Sequence, residues 1–470
     1  MSTTTCRSWL LLQWVYYCIV TSYVGASQYD VEEIPSKILW RRRESHHTTS
    51  SVMIADRHKA TVWIYSPRHV KGEDPVNTIL KYSRHNNTGT TIPTAHYDWK
   101  YEFSCRSLPS LALAESHGDI WALGCPSQQV PLYNGQQLTS ESGSVTLFQW
   151  IPHKNRARIV QTIYGKNSTD QLGQSISMSH DGRTVALVAT AHHRSSKNTD
   201  SRDYLNVYQQ QQQQQVHGGT SKQQWVPKGD TFQDVTRAVL SSDGSILATT
   251  TTGKAFKIFS WDVHNNKWTE ERIQTNRQRG LSSSSLSLSG NGQVLSILLP
   301  AKGGQAVTIF RRTTLGTTVQ WIRDSTIHQS SESSGTTSSR NRQSSFGWVT
   351  SLSGDGNRIA IAEPSAENTR GLVRVYDYCN RGSRNSKEWI TVGKDIRGRN
   401  QLDSLGRHVH LSYDGTVLVV KAVTYTIIYE FVVEEGYYDR QSACKRSMTT
   451  TAPIERQGQN RPRRYGTDEL

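Results

Sequence analysis

Long apolar runs are missing from this sequence beyond its first 26 residues. No later stretch approaches the 18 or more apolar residues that a spanning helix needs, so none is expected downstream. Apolar residues at helical spacing are also scarce, and only 4 Met stand against 13 Trp and 20 Tyr. A chain rich in aromatics, Thr and Val favours strands. Familiar chemical signatures are absent too: there is no G-x-S-x-G elbow, H-E-x-x-H, phosphate-binding loop or kinase set. Gly290-Asn291-Gly292 opens a G-x-G-x-x-G, but Leu295 stands where the last glycine belongs. Without C-x-x-C there is no zinc spacing, and neither a metal nor a cofactor is expected. Acidic charge is in deficit as well. Lys and Arg number 54 against 39 Asp and Glu, a net charge of +15, which suggests acidic partners such as sulfated or carboxylated glycans, anionic lipid headgroups or nucleic acid, or else simply a basic surface with no specific anion site.

What is present is one phrase, written again and again. LSGDGNRIAIAEP begins at Leu352, MSHDGRTVALVAT at Met178, LSSDGSILATTTT at Leu240, LSGNGQVLSILLP at Leu288 and LSYDGTVLVVKAV at Leu411. Turn glycines fall at Gly118, Gly182, Gly244, Gly292, Gly356 and Gly415, and His58 holds the matching place in an earlier, glycine-free copy. The steps between these positions are 60, 64, 62, 48, 64 and 59 residues. A near-constant period marks a repeat architecture. Each unit reads as a strand, a tight turn that tolerates positive φ, an apolar strand, a loop, and two further strands. The expectation is therefore all-β: a seven-bladed β-propeller of four-stranded antiparallel blades over residues 34–433. The last unit lacks a fourth strand, and residues 34–42 have no unit of their own. Pairing the two would close the ring and cover an exposed edge.

These residues resemble the FG-GAP repeats of the integrin alpha-chain propeller. Phe346-Gly347, Leu172-Gly173 and Leu405-Gly406 resemble the FG opening, while Gly124-Cys125-Pro126 and Ala362-Glu363-Pro364 resemble the ending. The resemblance implies the propeller fold over roughly residues 34–433. It also implies calcium loops, but here each turn has at most one acid (Asp181, Asp243, Asp355, Asp414), too few oxygens for such a site. No integrin-type calcium loop is expected.

Residues 1–26 read as a secretory signal peptide, with cleavage expected after Ala26; an uncleaved signal anchor is the alternative. The mature chain keeps Cys105, Cys125, Cys379 and Cys444. Cys105 and Cys125 flank one strand pair and are expected to bond, leaving Cys379–Cys444. Asn86 and Asn167 head N-glycosylation sequons. Residues 434–470 form a polar basic tail expected to be disordered. Its last residues, Asp468-Glu469-Leu470, resemble a retrieval signal that a receptor reads, so the expected location is the endoplasmic reticulum lumen, with secretion as the rival. No nucleic-acid partner is expected, and no membrane span once the signal is removed.

For function, the sequence supports a non-catalytic binding platform for an anionic glycan or protein. The alternative is a propeller enzyme acting on a polysaccharide or glycoprotein. Carboxylates facing one another at the channel mouth would favour the enzyme, whereas Arg, Lys, Tyr and Trp there would favour the platform. Long loops on one face direct attention to His192, His193, Arg194, Arg370, Arg397 and Arg399 as candidate binding residues.

Overall fold

The computed structural model describes residues 36–43, 52–54, 62–68, 76–82, 99–105, 110–114, 119–128, 142–167, 170–190, 203–212, 223–251, 255–274, 285–301, 304–316, 318–329, 345–380, 387–423 and 425–431. Strand β1 (Ser36–Arg43) is followed by an antiparallel ladder of β2 (Val52–Ile54), β3 (Val62–Arg68), β4 (Val76–Tyr82) and β5 (Trp99–Ser104). A second ladder holds β6 (Ser110–Leu113), β7 (Ile120–Cys125), β8 (Ser144–Ile151) and β9 (Arg156–Tyr164). The third runs through β10 (Leu172–Met178), β11 (Thr184–Ala189), β12 (Tyr204–Gln212) and β13 (Gln223–Pro227), with β14 (Phe232–Gln233) added to β12. Next come β15 (Val235–Leu240), β16 (Ile246–Thr251), β17 (Phe256–Asp262) and β18 (Lys267–Glu270).

Strand β19 (Arg272–Gln274) lies on the far edge of the sheet formed by β20 (Leu286–Leu288), β21 (Val294–Ala301), β22 (Gly304–Leu315) and β23 (Thr318–His328). The following sheet has β24 (Val349–Leu352), β25 (Arg358–Glu363), β26 (Leu372–Asn380) and β27 (Lys387–Thr391), with β28 (Ile396–Arg397) paired to β26. The last has β29 (His408–Leu411), β30 (Val417–Lys421) and β31 (Tyr425–Phe431), and β1 joins β31 antiparallel from Ser36↔Phe431 to Arg43↔Tyr425. First strands meet first strands: β6 lies between β2 and β10, β15 between β10 and β20, β24 between β20 and β29, and β2 beside β29. Sheets set radially about an inner ring of strands make a β-propeller.

The expectation of a seven-bladed propeller of four-stranded antiparallel blades is corrected by this architecture. Packed interiors are described for six blades, from β6 to β31, and six apolar layers separate successive sheets. The β2–β5 ladder is described by backbone pairing, and among its side chains by Ile79, Tyr101 and Phe103 alone. Its phrase has no turn glycine, so the device that sets the later turns is missing there. Nor are the other blades uniform, since three sheets carry a fifth strand and β19 runs parallel to β23. Immediately before that parallel strand stands Glu271. Burial opposes its charge, but Arg312 (2.5 Å) and the Trp321 indole N–H (2.7 Å) hold its carboxyl below the usual range. This anchor ties the chain leaving β18 to the next sheet.

Five turns share one construction. Ser179, Ser241, Ser289, Ser353 and Ser412 each donate from Oγ to the Asp or Asn two residues on, at 2.6–2.7 Å. Each hydroxyl also accepts the backbone N–H five residues on, at 2.9–3.0 Å. The glycine that follows has φ of 64–70°, which a Cβ would strain. The turn acids thus have local hydrogen-bonding work.

Buried cations latch one blade to the next turn. Arg358, fully buried, forks onto Asp377 with two 2.6 Å bonds and donates to the Gly415 carbonyl at 2.7 Å. Lys228 donates to the Gly244 carbonyl at 2.8 Å beneath the Trp261 and Trp268 rings. Replacing Arg358 by Met should cost about 3–5 kcal/mol, because it takes both fork bonds away from the buried Asp377 carboxylate. Lys257→Met, which breaks an ion pair with Glu270 on the exposed surface, should cost under about 1 kcal/mol. Denaturant unfolding distinguishes them, and equal midpoints for the two variants would refute the latch.

Candidate ligand site at the channel mouth

Aligning the repeats on the last leucine or methionine of each inner strand places Ser110, Ser175, Arg237, Ser285, Val349 and His408 at one level. One residue earlier stand Gln174, Thr236, Trp348 and Arg407, at the end where the chain enters these strands. Arg237, Arg407 and His408 are all exposed although the innermost layer of the fold carries or adjoins them. Trp348 is 49% exposed. All four lie on, or one residue before, strands of the inner ring. None of the inner strands contains Asp or Glu. Among the described inner strands, then, this level carries Arg and His and adjoins Trp, with no carboxylate from the strands themselves.

His408 reports the local field. Desolvation within the ring, then the positive charges of Lys421, Arg237 and Arg407, depress its pKa to about 4. Arg237 lies on β15 and His408 on β29, two strands that are not neighbours in the ring, so their interaction crosses the channel. Lys421 stands opposite His408 in the β29–β30 register and is fully buried. At neutral pH the imidazole is uncharged, with the positive charges of Lys421, Arg237 and Arg407 acting on it.

The connections into the inner strands are rigidly tied. Asp170 accepts from the Tyr204 hydroxyl and the Asn167 backbone N–H, both at 2.8 Å. Asp403 repeats the arrangement with Tyr425 and with the N–H groups of Arg399 and Asn400, all at 2.8 Å. The glycines of Leu172-Gly173 and Leu405-Gly406 that follow have φ of +98° and +95°.

The residues singled out from sequence divide into three groups. Arg370, Arg397 and Arg399 do come together, in β28 and the segments beside it at this same end. Arg397 donates to Glu367 at 2.7 Å and to Asp395 at 3.0 Å, Arg370 lies 3.6 Å from Glu367, and Arg374 forks onto Asp395 with two 2.7 Å bonds. Carboxylates therefore neutralise Arg370 and Arg397. Glu367, Asn368 and Thr369 beside them have φ of 51°, 58° and 65°, a left-handed run that costs about 1–2 kcal/mol per residue. Asn167 is exposed, and its amide donates to Asp170 at 3.1 Å. Cys105 and Cys125 are bonded, and Cys379 is also disulfide-bonded. His192, His193, Arg194, Asn86, Cys444 and Asp468-Glu469-Leu470 lie outside the described residues.

Arg237, Trp348, Arg407 and His408 were missed from sequence. They sit three or four residues before the leucine of their own phrases, so aligning the repeats would have grouped them. Among the described residues there is no group of three or more His, Cys, Asp or Glu suited to a metal.

No family model matches this chain, and no curated protein does. Solved structures similar to it include the β-propeller domain of Cps50 (Swd1) from Myceliophteria thermophila. That likeness has a TM-score of 0.47 and 11% identity over 85% of this chain and 99% of that one. The periplasmic gluconolactonase PpgL of Pseudomonas aeruginosa has a TM-score of 0.41 and 12% identity, over 73% and 84% respectively.

The His408 shift has a consequence for stability. Between pH 6.5 and about 4 the unfolded chain holds a proton that the folded chain does not, so stability contributed at neutral pH is lost as pH falls through that window. Unfolding midpoints of native protein and His408→Gln, compared from pH 7 to 4, should show a flatter profile for the variant. Parallel profiles would mean that His408 titrates normally in the fold.

Proposed function

We propose that the protein is a non-catalytic binding platform of the secretory pathway that takes an anionic glycan at the channel mouth. The observation that carries this reading is the ring of inner strands without a single acid, bordered by Arg237, Arg407, His408 and the exposed Trp348. Guanidinium groups suit planar carboxylates and sulfates, and an aromatic face suits the apolar face of a sugar ring. An enzyme using paired carboxylates at this position would need acids that these strands do not supply. The FG-GAP resemblance belongs to the same proposal, resting on Leu172-Gly173, Phe346-Gly347 and Leu405-Gly406. Those three glycines have positive φ and follow buried apolar residues. An acidic protein segment is the rival occupant that binding measurements would expose.

Binding of the mature chain to sulfated or uronate-bearing glycans should weaken by roughly tenfold or more in Arg237→Met, the loss of one charge-assisted hydrogen bond. Trp348→Ala should weaken it as well, and added salt should weaken the native protein more than Arg237→Met. Arg397→Met should matter less, since Arg397 lies outside the inner ring and is bonded to Glu367 and Asp395. Unchanged binding by both Arg237→Met and Trp348→Ala would refute the site.

The address is part of the proposal: cleavage after Ala26 and residence in the endoplasmic reticulum lumen through Asp468-Glu469-Leu470. Expressing the full chain with and without one alanine added after Leu470 tests it. Retention of the native chain with export of the extended one is expected, and equal export of both would show a secreted protein.

A further inference from the structure

The far end of the channel differs from its mouth. Five turns there are joined by backbone hydrogen bonds. His180 N–H donates to Ser242 (2.8 Å), Ser242 to Gly290 (2.7 Å), Asn291 to Gly354 (2.7 Å) and Gly354 to Tyr413 (2.6 Å). Tyr413 then turns inward. Its ring lies 4.4 Å, centre to centre, from that of His180. These residues belong to the β29–β30 and β10–β11 turns, whose sheets are not neighbours, so the contact bridges the axis. A side chain at Gly354 would begin 2.5 Å from the Tyr413 ring, and one at Gly290 would meet the same ring. Both positions are glycine where other copies of the phrase have His180, Ser242 and Tyr413, which leaves room for the ring to cross.

Four residues of β29 separate the two ends, about 13 Å at ~3.3 Å per residue. Arg237 and His408 lie at the entrance to this span and Tyr413 lies beyond its end.

Resting on the anionic-glycan reading, we propose that the channel is a blind pocket for the charged end of a glycan chain, not an internal segment. Arg237, Arg407 and His408 meet the terminal carboxylate or sulfate, Trp348 carries the next sugar ring at the rim, and Tyr413 with His180 forms the floor. A chain continuing beyond its charged residue would have to pass that floor.

The experiment uses the full mature chain and two oligosaccharide probes of equal charge. One ends in a uronate or sulfated sugar, and in the other the same sugar is capped by a single neutral residue. The open-ended probe should bind at least about tenfold more tightly, one charge-assisted contact's worth. Tyr413→Ala should narrow that ratio by improving the capped probe, while Tyr413→Phe, which keeps the ring, should preserve it. The open-ended probe should also raise the pKa of His408, read by its ring proton shifts, because a bound anion favours the imidazolium. Equal affinity for the two probes would overturn the blind pocket and leave the platform reading standing. Failure of both probes to bind would overturn the platform reading and this inference together.

Discussion

The Ser-x-Asp/Asn-Gly turn is the constraint on which the other elements depend. One hydroxyl donates to the acid or amide and accepts the N–H of the second strand, so the reversal from inner to second strand is held by side-chain bonds. The glycine permits the positive φ that ends the reversal. Repetition then gives the turns matching shapes at one end of the molecule, where they can bond to one another. The inner ring, and the channel it encloses, follow from that alignment.

Charge is sorted by depth in a consistent way. Where a cation is sealed between blades it has defined oxygen partners, as Arg358 has in Asp377 and Gly415. A buried charge without such partners would carry a large desolvation penalty. Around the channel, the inner strands themselves carry no Asp or Glu. Arg237, Arg407 and Lys421 consequently act together on His408 and hold its imidazole neutral. The same arrangement that depresses the histidine would favour an anion entering the channel.

Much of the fold was legible in the chain because its period is carried by local chemistry. Phrases such as LSSDGSILATTTT and LSYDGTVLVVKAV announce turn and strand without any long-range information. The blade count and uniformity were less legible. Pattern alone makes the glycine-free copy at Val52 equivalent to the others, and it makes every unit four-stranded. The parallel strand at Arg272–Gln274 follows Glu271, which meets Arg312 and Trp321 some 41 and 50 residues later, a pairing that local pattern does not contain. Basic loops were visible as candidates, but the carboxylates Glu367 and Asp395 that occupy Arg370 and Arg397 were not.

By itself, then, the sequence determined the all-β character, the repeat and its turns, the adjacent Cys105–Cys125 pair and the excess of positive charge. These are properties of near neighbours in the chain or of composition. Tertiary structure alone decided which cations share a space. Arg237 and His408 are 171 residues apart in the numbering and face one channel because each holds the same position in its own repeat. It likewise decided that Tyr413 meets His180, since only closure of the ring brings the first and last of those five turns across a common axis.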